Sequence, residues 1–184
     1  MHSPTDNELM FQVKDGDLGK LGILFERHHK ILYNFFLRLT GSREASEDLL
    51  QEVFLRILKY RNTYQGSSEF TTWMFQIARN SRADYFKKKK FENADDESED
   101  LISRDLIASE HFEKEQEAKL LHMALSRLPE EDREVLVLSR FQNIKYREIA
   151  QIFGCLEGTI KARVHRAMQR LRDNFFELSG ERAS

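Results

Sequence analysis

Residues 144–172, IKYREIAQIFGCLEGTIKARVHRAMQRLR, leave little room for anything but two short helices meeting at a glycine. Ile144, Ile149, Ala150 and Ile152 give the first an apolar side, Gly154 can take the left-handed conformation that ends a helix, and a period near 3.6 resumes from Glu157. With Ile160 at zero on a helical wheel, Val164, Ala167, Met168 and Leu171 share its arc and predict the core side. The opposite arc carries Gly158, Thr159, Lys161, Ala162, His165, Arg166, Gln169 and Arg172, with small residues at the amino end where a helix can approach base edges. Residues 157–172 hold five Lys/Arg against one acid. The pattern is a helix-turn-helix with a polyanionic partner, although a basic amphipathic helix taken alone would serve equally as a solvated surface.

The rest of the chain extends the helical pattern. With 8 Gly and 2 Pro in 184 residues and few alternating stretches, the predicted fold class is all-α, two small helical domains joined by an acidic linker. The net charge of -2 hides a segregation: residues 79–90 hold six basic residues against Asp84, and residues 92–115 hold ten acidic residues against Arg104 and Lys114. Residues 91–112 therefore read as the joint. Cys155 stands alone, which excludes an internal disulfide and a cysteine-based zinc site. No amino-terminal apolar run resembles a signal peptide or membrane span, so a cytoplasmic protein is expected.

Thr5 or Asp6 caps a predicted helix over residues 7–14, and Asp17 opens a longer one that Gly41 stops. Along it Leu18, Leu21, Leu24, Phe25, His28, Ile31, Leu32, Phe35, Phe36 and Leu39 recur at helical spacing. Adjacent His28 and His29 point to different faces, so they are read as packing and surface residues, and no metal or other cofactor is expected. Ser42 or Ser46 starts the next helix, with Leu49, Leu50, Val53, Phe54 and Ile57 inward. Its other face places Leu55 among Asp48, Gln51, Glu52 and Lys59, the composition of a small docking patch.

Residues 70–90, FTTWMFQIARNSRADYFKKKK, put Phe70, Trp73, Met74, Ile77, Ala78 and Tyr85 on one arc, and Phe75 and Phe86 on the other beside Thr72, Arg79 and Arg82. Aromatics interleaved with arginines suit an unpaired nucleic-acid strand; they suit equally well packing beneath a neighbouring helix. After the linker, Leu120, Leu121, Ala124, Leu125 and Leu128 restore the period. Pro129 is placed as the first residue of a new helix with Glu130, Glu131 and Asp132 at its positive end, and Val135, Leu136, Leu138 and Phe141 supply the core side. The carboxyl half is expected to be a bundle of about four helices.

Together these segments resemble the extracytoplasmic-function group of bacterial sigma factors, over nearly the whole chain. ASEDLLQEVFLRI is similar to that family's polymerase-clamp helix, FTTWMFQIARNSRADYFKKKK to its helix at the melted minus 10 element, and LSRLPEEDREVLVLSRFQNIKYREIAQIFGCLEGTIKARVHRAMQRLR to its minus 35 domain. The resemblance implies residues 1–90 as sigma region 2, 91–112 as linker and 113–184 as sigma region 4.

It also implies roles and partners. Asp48, Gln51, Glu52, Leu55 and Lys59 would dock on core RNA polymerase, whose clamp coiled coil and beta flap are the expected contacts. Arg61, Asn62, Thr63 and Tyr64 would hold a base flipped from the non-template strand, with Phe75, Arg79 and Arg82 flanking it. Gly158, Thr159, Lys161, Ala162, Arg163, His165 and Arg166 would address the minus 35 duplex. Ala162 stands where a serine is common, and Cys155 and Leu156 differ from the usual turn. Promoter DNA and an anti-sigma factor are implied partners; a small-molecule substrate and catalysis are not, since no P-loop, zinc-ligand run or nucleophile and base pair is found. The alternative is a stand-alone helix-turn-helix transcription factor whose amino half is a sensor or dimerisation module.

Overall fold

The computed structural model describes residues 3–92 and 112–180, and among them all regular structure is helical. In order come α1 (Asp6–Lys14), α2 (Gly19–Thr40), α3 (Arg43–Tyr60), a 3-10 turn (Arg61–Thr63) and α4 (Phe70–Glu92). They are followed by α5 (Phe112–Ser126), α6 (Glu130–Leu136), a π segment (Val137–Phe141), α7 (Tyr146–Phe153) and α8 (Glu157–Ser179). Residues 3–36 with 44–92 form one compact unit, and residues 37–43 with 112–180 the other. The acidic stretch read as a linker lies almost wholly outside the described residues.

In the first unit Thr5 caps α1 through a reciprocal box. The Glu8 N–H donates to Thr5 Oγ1 at 3.2 Å and the Thr5 N–H donates to Glu8 Oε2 at 2.7 Å. α2 buries Leu24, His28, Leu32, Phe35 and Phe36 and ends at Gly41, whose φ of +68° needs a residue without Cβ. Leu18 and Ile31, expected in the same stripe, are exposed. α3 opens at Arg43, so Ser42 precedes it and Ser46 is buried inside it; Leu49, Val53, Phe54 and Ile57 face the core.

α4 departs from a one-sided wheel. Phe70, Met74, Ile77 and Ala78 are buried as expected, and so are Thr72, Phe75, Ser81 and Arg82 from the other arc. The helix has neighbours on more than one side: Phe75 meets Phe35 of α2 edge-on with centroids 5.2 Å apart, while Trp73 meets Tyr64 at 5.1 Å. Each of these fully buried aromatic side chains stabilises the unit by about 1.5–3 kcal/mol relative to exposure.

In the second unit Pro129 is the cap preceding α6 rather than its first residue. α6 runs directly into the π segment, and Val135, Leu136, Val137 and Leu138 are buried in succession. The Gln142 N–H donates to the Val137 carbonyl at 3.0 Å, an i to i+5 bond. Phe141 is only half-buried. α7 closes at Gly154 with φ +64°, where the Cys155 N–H donates to the Ala150 carbonyl at 3.0 Å and the Gly154 N–H to that of Gln151 at 3.3 Å. This paired closure satisfies two helix-end carbonyls and turns the chain into α8. α8 packs against α5, α6 and α7 through Ile160, Val164, Ala167 and Leu171; Met168, expected in that stripe, is 39% exposed.

Candidate nucleic-acid and protein interfaces

Once Ile160, Val164, Ala167 and Leu171 are committed to the core, the periodicity of α8 turns Gly158, Thr159, Lys161, Ala162, His165 and Arg166 outward, and all six are exposed. Leu156 begins the helix without a side-chain cap, so the first-turn N–H groups lack the usual side-chain acceptor. A positive dipole end and basic side chains thus share one surface. Lys161 Nζ lies 2.8 Å from Glu157 Oε1, an exposed pair of small energetic weight that a competing anion can displace.

Arg163 differs from its neighbours. It is half-buried and its guanidinium is paired with the Glu131 carboxylate of α6, so it ties two helices together instead of projecting with Lys161 and Arg166. One turn on, Arg170 Nη1 donates to Asp132 Oδ2 at 2.5 Å. Glu131 and Asp132, read from sequence as dipole-compensating residues, therefore also hold α8. The 131/132 and 163/170 spacings carry no sign of this pairing until the two helices are docked.

On α3, Leu55 is 62% exposed, with Asp48, Gln51 and Lys59 exposed around it. Glu52 is already engaged: its carboxylate accepts from Arg56 Nε at 2.5 Å, and Arg56 Nη1 donates to Asp84 Oδ2 of α4 at 2.8 Å. This bridge fixes α3 against α4 and leaves Leu55 as the apolar centre of a polar face.

Between α3 and α4 the chain turns through Arg61–Thr63. Arg61 Nη1 donates to the Leu58 carbonyl at 2.9 Å and Thr63 Oγ1 to that of Tyr60 at 2.8 Å. Asn62 and Thr63 are exposed. Tyr64 is not a surface residue: it is 2% exposed, packs among Phe11, Phe70 and Trp73, and donates its hydroxyl to Asn7 Oδ1 at 2.7 Å. Burial, with the Glu69 and Asp6 carboxylates adding to it, pushes its phenol up to about 12. Asn7 Oδ1 also accepts from the Phe70 N–H at 2.7 Å, and Lys14 Nζ donates to the Tyr64 carbonyl at 2.7 Å. Gly66 has φ +67°, and a Cβ there would lie 2.5 Å from Phe11 Cζ. Sequence reasoning missed Asn7, Phe11 and Lys14; their spacing of four and three on α1 places them on one face, the available signal.

The predicted strand-binding face of α4 also changes. Phe75 is 1% exposed and is a core residue, because its wheel position faces α2 rather than solvent. Arg82 is 5% exposed with its guanidinium 5.2 Å from the Phe86 ring centre, so it too is withdrawn. Arg79 is half-buried on the same helix. Among the described residues no cluster of His, Cys, Asp or Glu is arranged to hold a metal; His28 Nε2 instead shares a hydrogen bond with Asp6 Oδ2 at 2.6 Å.

Comparison with known proteins follows these surfaces. Residues 24–92 match the family described as Sigma-70 region 2, and residues 118–171 match Sigma-70, region 4. The chain is similar to the ECF RNA polymerase sigma factor EcfG of Rhodopseudomonas palustris (strain TIE-1), with 35% identity over 74% of this chain and 75% of that one. It is also similar to ECF RNA polymerase sigma factor SigM of Bacillus subtilis (strain 168), with 32% identity over 81% of this chain and 91% of SigM. Among solved structures, the Bartonella quintana sigma factor RpoE, in complex with the anti-sigma factor NepR, matches with a TM-score of 0.69. Its identity is 25%, over 83% of this chain and 94% of that one.

Proposed function

Because the chain belongs to the extracytoplasmic-function sigma factors, the promoter-specificity subunits of bacterial RNA polymerase, we propose that its two units divide promoter recognition between paired and unpaired DNA. The protein binds core polymerase and promoter DNA and performs no bond chemistry; polymerase catalyses. In this reading residues 113–184 grip the minus 35 duplex through Lys161, Ala162, His165 and Arg166, with Gly158 and Thr159 letting the backbone approach. Residues 1–90 dock on polymerase around Leu55 with Asp48, Gln51 and Lys59, and take the melted minus 10 strand at the loop beginning with Arg61, Asn62 and Thr63, with Arg79 nearby.

Trapping an unpaired base offsets part of the cost of melting, and stacking and hydrogen bonding to a flipped base need no metal or nucleotide. The observation that carries the proposal is the outward row on α8, held by a buried stripe and entered through a glycine-closed turn. An anti-sigma protein, the kind of partner seen with the Bartonella quintana factor, is the regulator we propose, acting by covering these faces. The chain would work with polymerase in the cytoplasm; among the described residues no helix is long and apolar enough to cross a membrane.

Run-off transcription with purified core polymerase and a promoter library tests this. The chain should direct initiation at a defined subset. Leu55→Asp should abolish core binding, and Arg166→Ala should weaken the upstream duplex by about 1–3 kcal/mol if it makes a specific base contact. A chain that never directs polymerase to a start site would overturn the proposal.

A further inference from the structure

Resting on the reading of residues 61–69 as the loop that takes an unpaired base, we propose that α1 sets the shape of that loop before DNA arrives, with Asn7 as the positioning residue. Asn7, Phe11 and Lys14 lie on one face of α1, and they meet the loop at different points. Asn7 Oδ1 accepts from the Tyr64 hydroxyl and the Phe70 N–H, both at 2.7 Å. A backbone N–H can only donate, so the Asn7 atom facing Phe70 is the carbonyl oxygen, and the Tyr64 hydroxyl must donate to it as well. One oxygen thereby joins the loop's entry to its exit.

The Phe70 N–H opens α4 and lacks an intrahelical acceptor, so Asn7 also caps that helix from another element. Lys14 Nζ holds the Tyr64 carbonyl at 2.7 Å, and the Phe11 ring covers Gly66, where a Cβ would lie 2.5 Å from Cζ. α1 is itself fixed to α2: Asp6 accepts from Arg27 Nη1 at 2.7 Å and shares a 2.6 Å hydrogen bond with His28 Nε2. The conformational entropy of the loop is thus largely spent during folding, and a strand binding to Asn62 and Thr63 meets a surface already in place.

The test uses holoenzyme assembled from core polymerase and the full chain. It is titrated with a fluorescein-labelled single-stranded oligonucleotide carrying the non-template minus 10 strand of a promoter that it transcribes. Asn7→Ala should weaken strand binding about tenfold, because two buried donors lose one acceptor, while core binding and minus 35 duplex affinity stay unchanged. Asn7→Asp, which accepts from both donors, should remain within about threefold. Lys14→Met removes a bond at the part-buried rim and should weaken the strand about threefold, which keeps the proposal testable if Asn7→Ala does not fold.

In an Asn62→Ala/Thr63→Ala background, Asn7→Ala should add less than about twofold, since it acts through those residues. Full additivity would overturn the brace, as would an equal loss of core binding. If the loop variant weakens the strand while Asn7→Ala and Lys14→Met bind like the parent chain, the brace alone fails. If the loop variant itself has no effect, the reading of the loop fails and the brace with it.

Discussion

Replacing Phe75 by alanine removes a ring that is 1% exposed and meets Phe35 edge-on at 5.2 Å, with planes 72° apart. Truncating a buried phenylalanine costs about 3–5 kcal/mol through lost transfer energy and the cavity left behind. That is a large share of a domain whose total stability is about 5–15 kcal/mol. At about 4–8 °C per kcal/mol for a domain of this size, the melting midpoint should fall by at least about 12 °C. Phe75→Leu retains apolar volume but loses the ring pair, and should cost about 1–1.5 kcal/mol.

Trp73, the chain's one tryptophan, lies in the same unit, so its fluorescence during urea unfolding reports that unit. The assay separates packing from strand stacking because the two roles predict opposite patterns. A core Phe75 makes both variants less stable and leaves strand affinity intact in the folded Leu variant. A ring that stacks on a base would cost about 1–3 kcal/mol of strand binding with little change in stability. Unchanged unfolding midpoints for Phe75→Ala, together with lost strand affinity, would refute the burial argument.

Gly66→Ala should destabilise the first unit by about 1–3 kcal/mol, since φ is +67° and the new Cβ meets the Phe11 ring; Phe11→Ala in the same chain should recover the steric part, and a neutral Gly66→Ala in urea unfolding would count against the close approach. Tyr64 should ionise near 12 against about 10 in the unfolded chain, so its stabilising contribution is whole below about pH 10 and is lost as pH rises through 12. Absorbance at about 295 nm, compared between parent and Tyr64→Phe, follows this directly, and ionisation of Tyr64 at its ordinary value would contradict its burial. Arg163→Met should cost the second unit less than about 1 kcal/mol and reduce minus 35 duplex affinity less than Arg166→Ala does; the reverse order in a fluorescence-anisotropy titration would return Arg163 to the DNA face.

Helices with one neighbour-facing side were legible before any coordinates. Ile160, Val164, Ala167 and Leu171 are buried as their spacing predicts, and Gly154 ends α7 where only a glycine fits comfortably. Leu55 is exposed, as its place among polar residues implied. α4 defeated the same method because a wheel assumes one apolar side. Phe75 and Arg82, placed outward by that assumption, are buried among other helices. Met168 failed for the converse reason: it shares the angular position of the core stripe, yet no helix covers it fully. Contacts between distant segments were invisible throughout. Asn7 reaches Tyr64 and Phe70, and Glu131 reaches Arg163, through docking geometry that local periodicity does not encode. The same blindness put Tyr64 in the exposed pocket when it is the wall behind it.

The π segment after α6 has its own bearing on how this protein can vary. A single π turn is an α-helix carrying one residue more than its winding requires, and here four consecutive side chains, Val135 to Leu138, are all inside. Deleting one residue from Val137–Phe141 would let ordinary winding resume and swing the following backbone by about 100° about the axis. The segment is therefore a phase-setting element: sequence drift can exchange its aliphatic groups for others of similar bulk, but a change in their number would re-aim everything downstream.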